Sequence, residues 1–176
     1  MPLKLIKLIL FVLCLKSTLL CSQKTNQLYT VSGTVMQTSH YCGGAKPSEE
    51  MLKSFETPGP YISKVLYLKA GKTNSNNERV IVKFTSDSLG RFSFQIKPGT
   101  YCILQEEQVK TFSQKDYVSS STFAYDLACI KAWWKKPLKV ITVKDSPVKN
   151  LRFDFTKACF IQSDMPCITY TGPMPP

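Results

Sequence analysis

The chain has a single histidine, His40, and no CxxC-like cysteine pair. Zinc and copper sites need histidines at ligand spacing or such a pair, so reading the cysteines with His40 as a metal centre lacks its ligand set. Tryptophan is scarce, with only Trp133 and Trp134, and acidic residues number 12 against 23 lysines and arginines. No acid/base or nucleophile constellation stands out. His40 and Cys42 invite a thiol-nucleophile reading, but residues so close on a loop rarely place base and nucleophile correctly, and no acidic orienter accompanies them. The sequence therefore implies no cofactor, no metal and no catalytic residue. Long apolar runs are also missing, because Lys16 interrupts the stretch 8–15 well short of the ~20 residues that span a bilayer. There is no internal repeat.

What is present begins with an export signal. Lys4 and Lys7 precede the apolar stretch 8–15, and Ser17, Thr18 and Ser22 follow, the order of a secretory signal peptide over residues 1–22 with cleavage before Gln23. Cys21 offers a lipid anchor as the minority reading, disfavoured by Leu20 before it. Removing Lys4, Lys7 and Lys16 leaves 20 basic against 12 acidic residues, a formal charge of +8. Residues 23–176 suit one domain with a buried core. Five cysteines remain in it: Cys42, Cys102, Cys129, Cys159 and Cys167. In an oxidising compartment these read as disulfide partners, with an odd one left over.

Residues 85–101 write two strands and two turns. Asp87-Ser88-Leu89-Gly90 is a tight turn, since Asp bonds its own backbone and Gly tolerates positive φ. Phe92, Phe94 and Ile96 then alternate with Arg91, Ser93, Gln95 and Lys97, one face inward and one to water. Pro98-Gly99 makes the second turn, with Gly99 expected in the left-handed region. Further strands are expected over 28–35 (Tyr29, Val31 and Val35 on one face), 62–69 (Ile62, Leu66 and Leu68 on one face), 79–85, 101–104, 138–143 and 148–155 (Leu151, Phe153 and Phe155 inward). Residues 37–60 read as a long loop with one short helix over 48–55 capped by Ser48. Phe123, Leu127, Ile130 and Trp134 form a helical stripe over about 122–136, ended by Pro137. The tail 171–176 is too rich in Pro for helix or central strand.

Gly33-Thr34-Val35, Val65-Leu66-Tyr67-Leu68, Asp87-x-x-Gly90-x-Phe92 and Pro98-Gly99-x-Tyr101 together resemble the carboxypeptidase regulatory-like domains over about residues 28–105. The resemblance implies a mainly β, transthyretin-like (prealbumin-like) seven-stranded Greek-key sandwich, here with one inserted helix. The segments around Cys129 to Trp134 and Cys159 to Pro173 are similar to small secreted proteins of Bacteroidetes that carry this domain. No peptidase domain accompanies it, so fold membership carries no activity with it.

The candidate residues follow. Cys102 lies on the face opposite Tyr101 and Ile103, and a bridge from Cys102 to Cys129 would pin the helix against the sheet. Cys159 with Cys167 would close the segment after the last strand, leaving Cys42 as the free thiol, although spacing does not decide connectivity. Neighbours on a helix lie about 100° apart, so Trp134 is expected in the core with Leu127 and Ile130, and Trp133 is left for a ligand. Lys135, Lys136, Lys139, Lys144, Lys149, Arg152 and Lys157 make the C-terminal third basic, suited to solubility and edge protection or to an anionic polysaccharide or lipid headgroup. An exported chain without an aromatic-basic platform argues against nucleic acid. The leading expectation is a non-catalytic exported module with a structural or protein-interaction role in the cell envelope, whether periplasmic, outer-membrane-associated or extracellular. The alternative is a small-ligand, glycan-binding protein that uses Trp133 and nearby loops.

Overall fold

The turn at Asp87 folds as its residues dictate. Asp87 Oδ1 accepts from the backbone N–H of Leu89 (2.9 Å) and Arg91 (2.8 Å), and Gly90 takes φ 73°. The Arg91 backbone hydrogen bond, with that of Leu89, holds the Asp87 carboxyl below its ordinary pKa. Gly90 O then receives Val35 N–H at 2.7 Å, fastening the turn to the first strand. Gly99 is different from expectation. It has no positive φ and begins a strand, and its missing Cβ leaves room for the Tyr101 ring, whose hydroxyl would stand 2.8 Å from it.

The computed structural model describes residues 27–173. The expected leader over 1–22, its cleavage site and Cys21 lie outside the described residues, as does the end of the Pro-rich tail. The elements in order are β1 (Tyr29–Ser39), α1 (Glu49–Glu56), β2 (Gly59–Pro60), β3 (Val65–Ala70), β4 (Val80–Thr85), β5 (Arg91–Ile96), β6 (Gly99–Leu104), α2 (Glu106–Val109), a 3-10 turn (Gln114–Asp116), β7 (Phe123–Tyr125), α3 (Leu127–Lys135), β8 (Lys139–Val143), β9 (Val148–Lys157) and β10 (Ile168–Tyr170). In the first sheet β1 is central, antiparallel to β5 and the short β2 and parallel to β9. The second sheet runs β4-β3-β6-β8, antiparallel throughout. β7 and β10 make a separate two-stranded ribbon.

The two large sheets bury one core between them. Val31, Val35 and Phe153 meet Leu66, Leu68 and Ile103 across it, and Phe84 lies 4.8 Å from Phe92 and 4.7 Å from Phe94 between ring centroids. Alternation therefore read the inward faces correctly, with half-buried Phe94 packed against the core, except at Ile62, which is 54% exposed because Ser63 turns at φ 57° and β3 starts at Val65. The helix also starts later than its stripe. Asp126 caps it by accepting from Cys129 N–H, so Phe123 falls in β7 and Leu127 is exposed, while Ile130 and Trp134 are buried as expected. Ser48 does cap α1, accepting from Met51 N–H.

Within the first sheet β9 leaves no room for a side chain at Gly33. A Cβ there would stand 2.1 Å from Leu151 O. The β1–β9 register shifts between Val31 and Gly33, and Asn150 has φ 59°, so β9 bulges toward β1 at the residue where no side chain intervenes.

The expected cysteine pairing is corrected. Among the described residues the bridges are Cys42–Cys159 and Cys129–Cys167, with Cα separations of 5.4 and 5.7 Å, and the unpaired thiol is Cys102 rather than Cys42. Cα separations in this range admit a bridge. β1 and β9 run parallel and end together, which places Cys42 beside Cys159 just past Lys157. Cys129, in the first turn of α3, faces the chain that enters β10 and meets Cys167. Cys102 is sealed within the outer face of the second sheet, its Sγ 3.8 Å from Thr73 O. Non-reducing peptide mapping should return these two linked pairs, with Cys102 alkylated only after unfolding; a Cys102-linked peptide would refute the arrangement. Gly33→Ala should cost about 3 kcal/mol in thermal or denaturant melts, whereas Gly59→Ala, with nothing within 4 Å of its new methyl, should leave the midpoint nearly unchanged.

Candidate functional site

The segment between β6 and β8 folds over the outer face of the second sheet, and this covering layer carries Trp133. A polar network buried under it explains how the helix ends there. The last carbonyls of a helix have no intrahelical donors. Here Gln108 Nε2 donates to Trp133 O and Lys136 O (both 2.8 Å), Asn74 Nδ2 donates to Trp134 O (3.0 Å) and Asn74 N–H to Lys135 O (3.1 Å). Asn74 Nδ2 also reaches Gln108 O, and Gln108 Oε1 accepts from Gln105 N–H at 2.9 Å. Lys69 Nζ donates to Asn74 Oδ1 (3.0 Å) and Ser75 O (2.9 Å).

Two titratable groups sit side by side beneath this layer. Lys69 and Cys102 are register partners on β3 and β6, and they are buried. Burial lowers the Lys69 pKa against the opposing pull of Cys102 and Glu78, and burial raises that of Cys102. Cys102 stood out in the sequence only as a bridge candidate, and Lys69 and Asn74 carried no signal of their own. Lys69 closes an apolar strand and Asn74 lies in an Asn-rich loop, so only the covering layer gives them roles.

The two tryptophans separate as expected. Trp134 is 7% exposed and donates its indole N–H to Lys110 O at 3.0 Å. Trp133 is half-buried against Ile130, Met165 and Cys167 and lines a cleft of about 390 Å3. Across from it stand Leu138, Phe155 and Thr156 from the open edges of the two sheets, and Ile161, Ser163 and Asp164 from the chain after β9. Gln105 lies in the wall, and its Oε1 is buried with no hydrogen-bond partner among the described residues.

Ser163 and Asp164 also border a smaller polar niche of about 230 Å3 with Glu106, Glu107, Tyr61 and Lys64. Asp164 Oδ2 accepts from Tyr61 Oη at 2.9 Å and pairs with the Lys64 ammonium. Burial, then the Asp164 hydrogen bond, raises the Tyr61 pKa far above its ordinary value, so the phenol is a donor at any physiological pH. The Lys64 ammonium lies 4.9 Å over the Phe155 ring, which joins the niche to the cleft wall.

The remaining candidates fall elsewhere. The Cys42 sulfur is consumed by its disulfide, which removes the thiol-nucleophile reading with His40. Lys135, Lys136, Lys139, Lys144 and Lys149 are exposed, Arg152 pairs with Asp154, and Lys157 lies 5.4 Å over the Tyr61 ring. Among the described residues no helix is long and apolar enough to cross a membrane. No protein-family model and no curated protein matches the chain.

The Cys102 pKa gives a pH test of the covering layer. Unfolded, the thiol ionises near pH ~8.5, whereas the native thiol keeps its proton to higher pH. The native state then holds more protons, and stability falls as pH rises. Lys69 acts oppositely, since its lowered native pKa makes the unfolded state the more protonated one. Cys102→Val removes the first contribution, and by taking away the upward pull of Cys102 on Lys69 it strengthens the second, which has the same sign in the difference. Its stability relative to wild type should therefore improve between about pH 8 and pH 10 in denaturant melts, and a pH-independent difference would contradict the buried thiol.

Proposed function

We propose that the chain is a non-catalytic exported β-sandwich module of the cell envelope that works by binding, and that the Trp133 cleft holds a small ligand of glycan type. The observation that carries this reading is the division between the tryptophans. Trp134 is spent on the core, while its neighbour presents part of its indole to a cleft of the size typical for small ligands, roughly 300 Å3 upward. The charges around the cleft favour an uncharged ligand. Asp164 is engaged by Lys64 and Tyr61, and Asp154 by Arg152. What meets a ligand is an aromatic face with the partnerless Gln105 Oε1 and the hydroxyls of Thr156, already bonded to Thr38, and Ser163, which accepts from Met165 N–H and keeps its own proton to donate, a combination that suits the apolar face and hydroxyl rim of a sugar.

The two disulfides support export, since such bridges persist in oxidising compartments. With the two-residue β2 set aside, the facing sheets contain seven strands, which supports the transthyretin-like, carboxypeptidase regulatory-like reading. A structural or protein-interaction role remains compatible with the same cleft, whose walls include unpaired sheet edges.

An array of neutral glycans probed with wild type and Trp133→Ala tests the proposal. Wild type should bind a subset, and the variant should lose about tenfold in affinity for it. No wild-type hits, or a variant that keeps them all at full strength, would sink the reading.

A further inference from the structure

A second concavity, of about 730 Å3, crosses the outer face of the first sheet; it shares no lining residue with the Trp133 cleft, although its Arg152 pairs with Asp154 of that cleft. Ser32, Gly33, Thr34 and Ser93 line it, together with Asp87, Phe92 and Leu151. Thr34 is the register partner of Arg91 on β5 and of Arg152 on β9, so the two arginines flank it. Two inter-strand steps put their backbones about 10 Å apart.

The trough is shaped by the departure from regular pairing already seen at Gly33. Asn150, with φ 59°, lies in its lining, and a left-handed non-glycine residue is costly enough to persist only where its surroundings enforce it. The arginines are also oriented. Arg91 Nε donates to Asp87 Oδ2 at 3.0 Å, and Arg152 Nε donates to both Asp154 carboxylate oxygens at 2.9 and 3.1 Å. Each guanidinium is a rigid fork of five donors. Holding it by Nε aims it and leaves the Nη donors without a hydrogen bond among the described residues.

We propose that this trough binds a uronic-acid polysaccharide lying across β5, β1 and β9. Carboxylates on separated sugars meet the Nη donors of Arg91 and Arg152, and sugar hydroxyls meet Ser32, Thr34, Ser93 and Asn150. Arginine suits this role because its planar fork matches a carboxylate bidentately. The two aspartates balance the two arginines locally, so capture rests on hydrogen-bond geometry, and the formal charge of +8 after leader removal draws the polyanion in. An acidic peptide fits less well. The trough crosses strands instead of following a sheet edge where peptide backbone would pair.

Affinity electrophoresis of the leaderless chain in gels containing polygalacturonate, dextran sulfate, dextran or polyglutamate tests this. Polygalacturonate should retard wild type most, and Arg91→Gln/Arg152→Gln should weaken that binding by about tenfold per arginine with an unchanged melting midpoint. Lys135→Gln/Lys136→Gln removes the same charge elsewhere and should change it less than about twofold. The proposal is overturned by no retardation in polygalacturonate, by equal losses in the two variants, or by binding to dextran sulfate or polyglutamate as tight as to polygalacturonate. Trp133→Ala should leave this binding intact, and because Arg152 also pairs with Asp154 of the cleft, Arg91→Gln alone should lose polygalacturonate binding while keeping neutral-glycan binding.

Discussion

The approach of β9 to β1 at Gly33 is the contact on which the architecture turns. Among the described residues β1 is the strand of the first sheet that is bonded on both sides, to β5 on one side and to β9 on the other. Any side chain at position 33 would occupy the space of the Leu151 carbonyl. Without that pairing the strand carrying Leu151, Phe153 and Phe155 would not deliver these residues to the core. The parallel direction has a second effect. It carries the ends of both strands to the same rim, where Cys42 and Cys159 meet across 117 residues of chain. A loop of that length makes the bridge worth about 5 kcal/mol by the chain-entropy estimate.

The covering layer depends on a different interaction, the donation of Asn74 and Gln108 side chains to the carbonyls that end α3. A helix end buried against a sheet without such donors would leave polar groups unsatisfied, at roughly 1–3 kcal/mol each. Because the donors come from the loop after β3 and from α2, the helix is held at its C-terminus by segments distant in sequence. The Cys129–Cys167 bridge holds its N-terminal turn. With both ends fixed, Trp133 is presented at one rotation about the helix axis, toward the cleft.

Local chemistry was legible in the sequence where neighbours in the chain decide the outcome. The Asp87 turn, the alternation of β5 and β9, the Ser48 cap and the separation of Trp133 from Trp134 are of that kind. The helix start was misplaced because Phe123 continues the helical spacing by coincidence, and only the Asp126 cap and β10 pairing reveal it as strand. Cysteine pairing was illegible for a stronger reason. For Cys42–Cys159 it is set by which strand ends share a rim, which follows from the parallel β1–β9 register between residues more than a hundred positions apart, and for Cys129–Cys167 by the docking of α3 against the chain entering β10. Cys102 stood on a face that alternation labels as outward, and nothing local announces that another segment will cover it.

The trough on the first sheet and the cleft beside the second arise from the same circumstance. A regular sandwich with polar outer faces offers flat surfaces, and flat surfaces do not surround a ligand. Concavity needs a departure from regular pairing. In the first sheet the departure is the β9 bulge at Asn150 beside Gly33. In the second it is the layer between β6 and β8, closed against the open sheet edges by the chain after β9. The Asp87 turn takes part in the first of these, because the carboxylate that shapes the turn through Leu89 and Arg91 backbone N–H groups also holds the Arg91 side chain. A residue chosen by turn geometry is thereby also the one that aims a guanidinium along the sheet face.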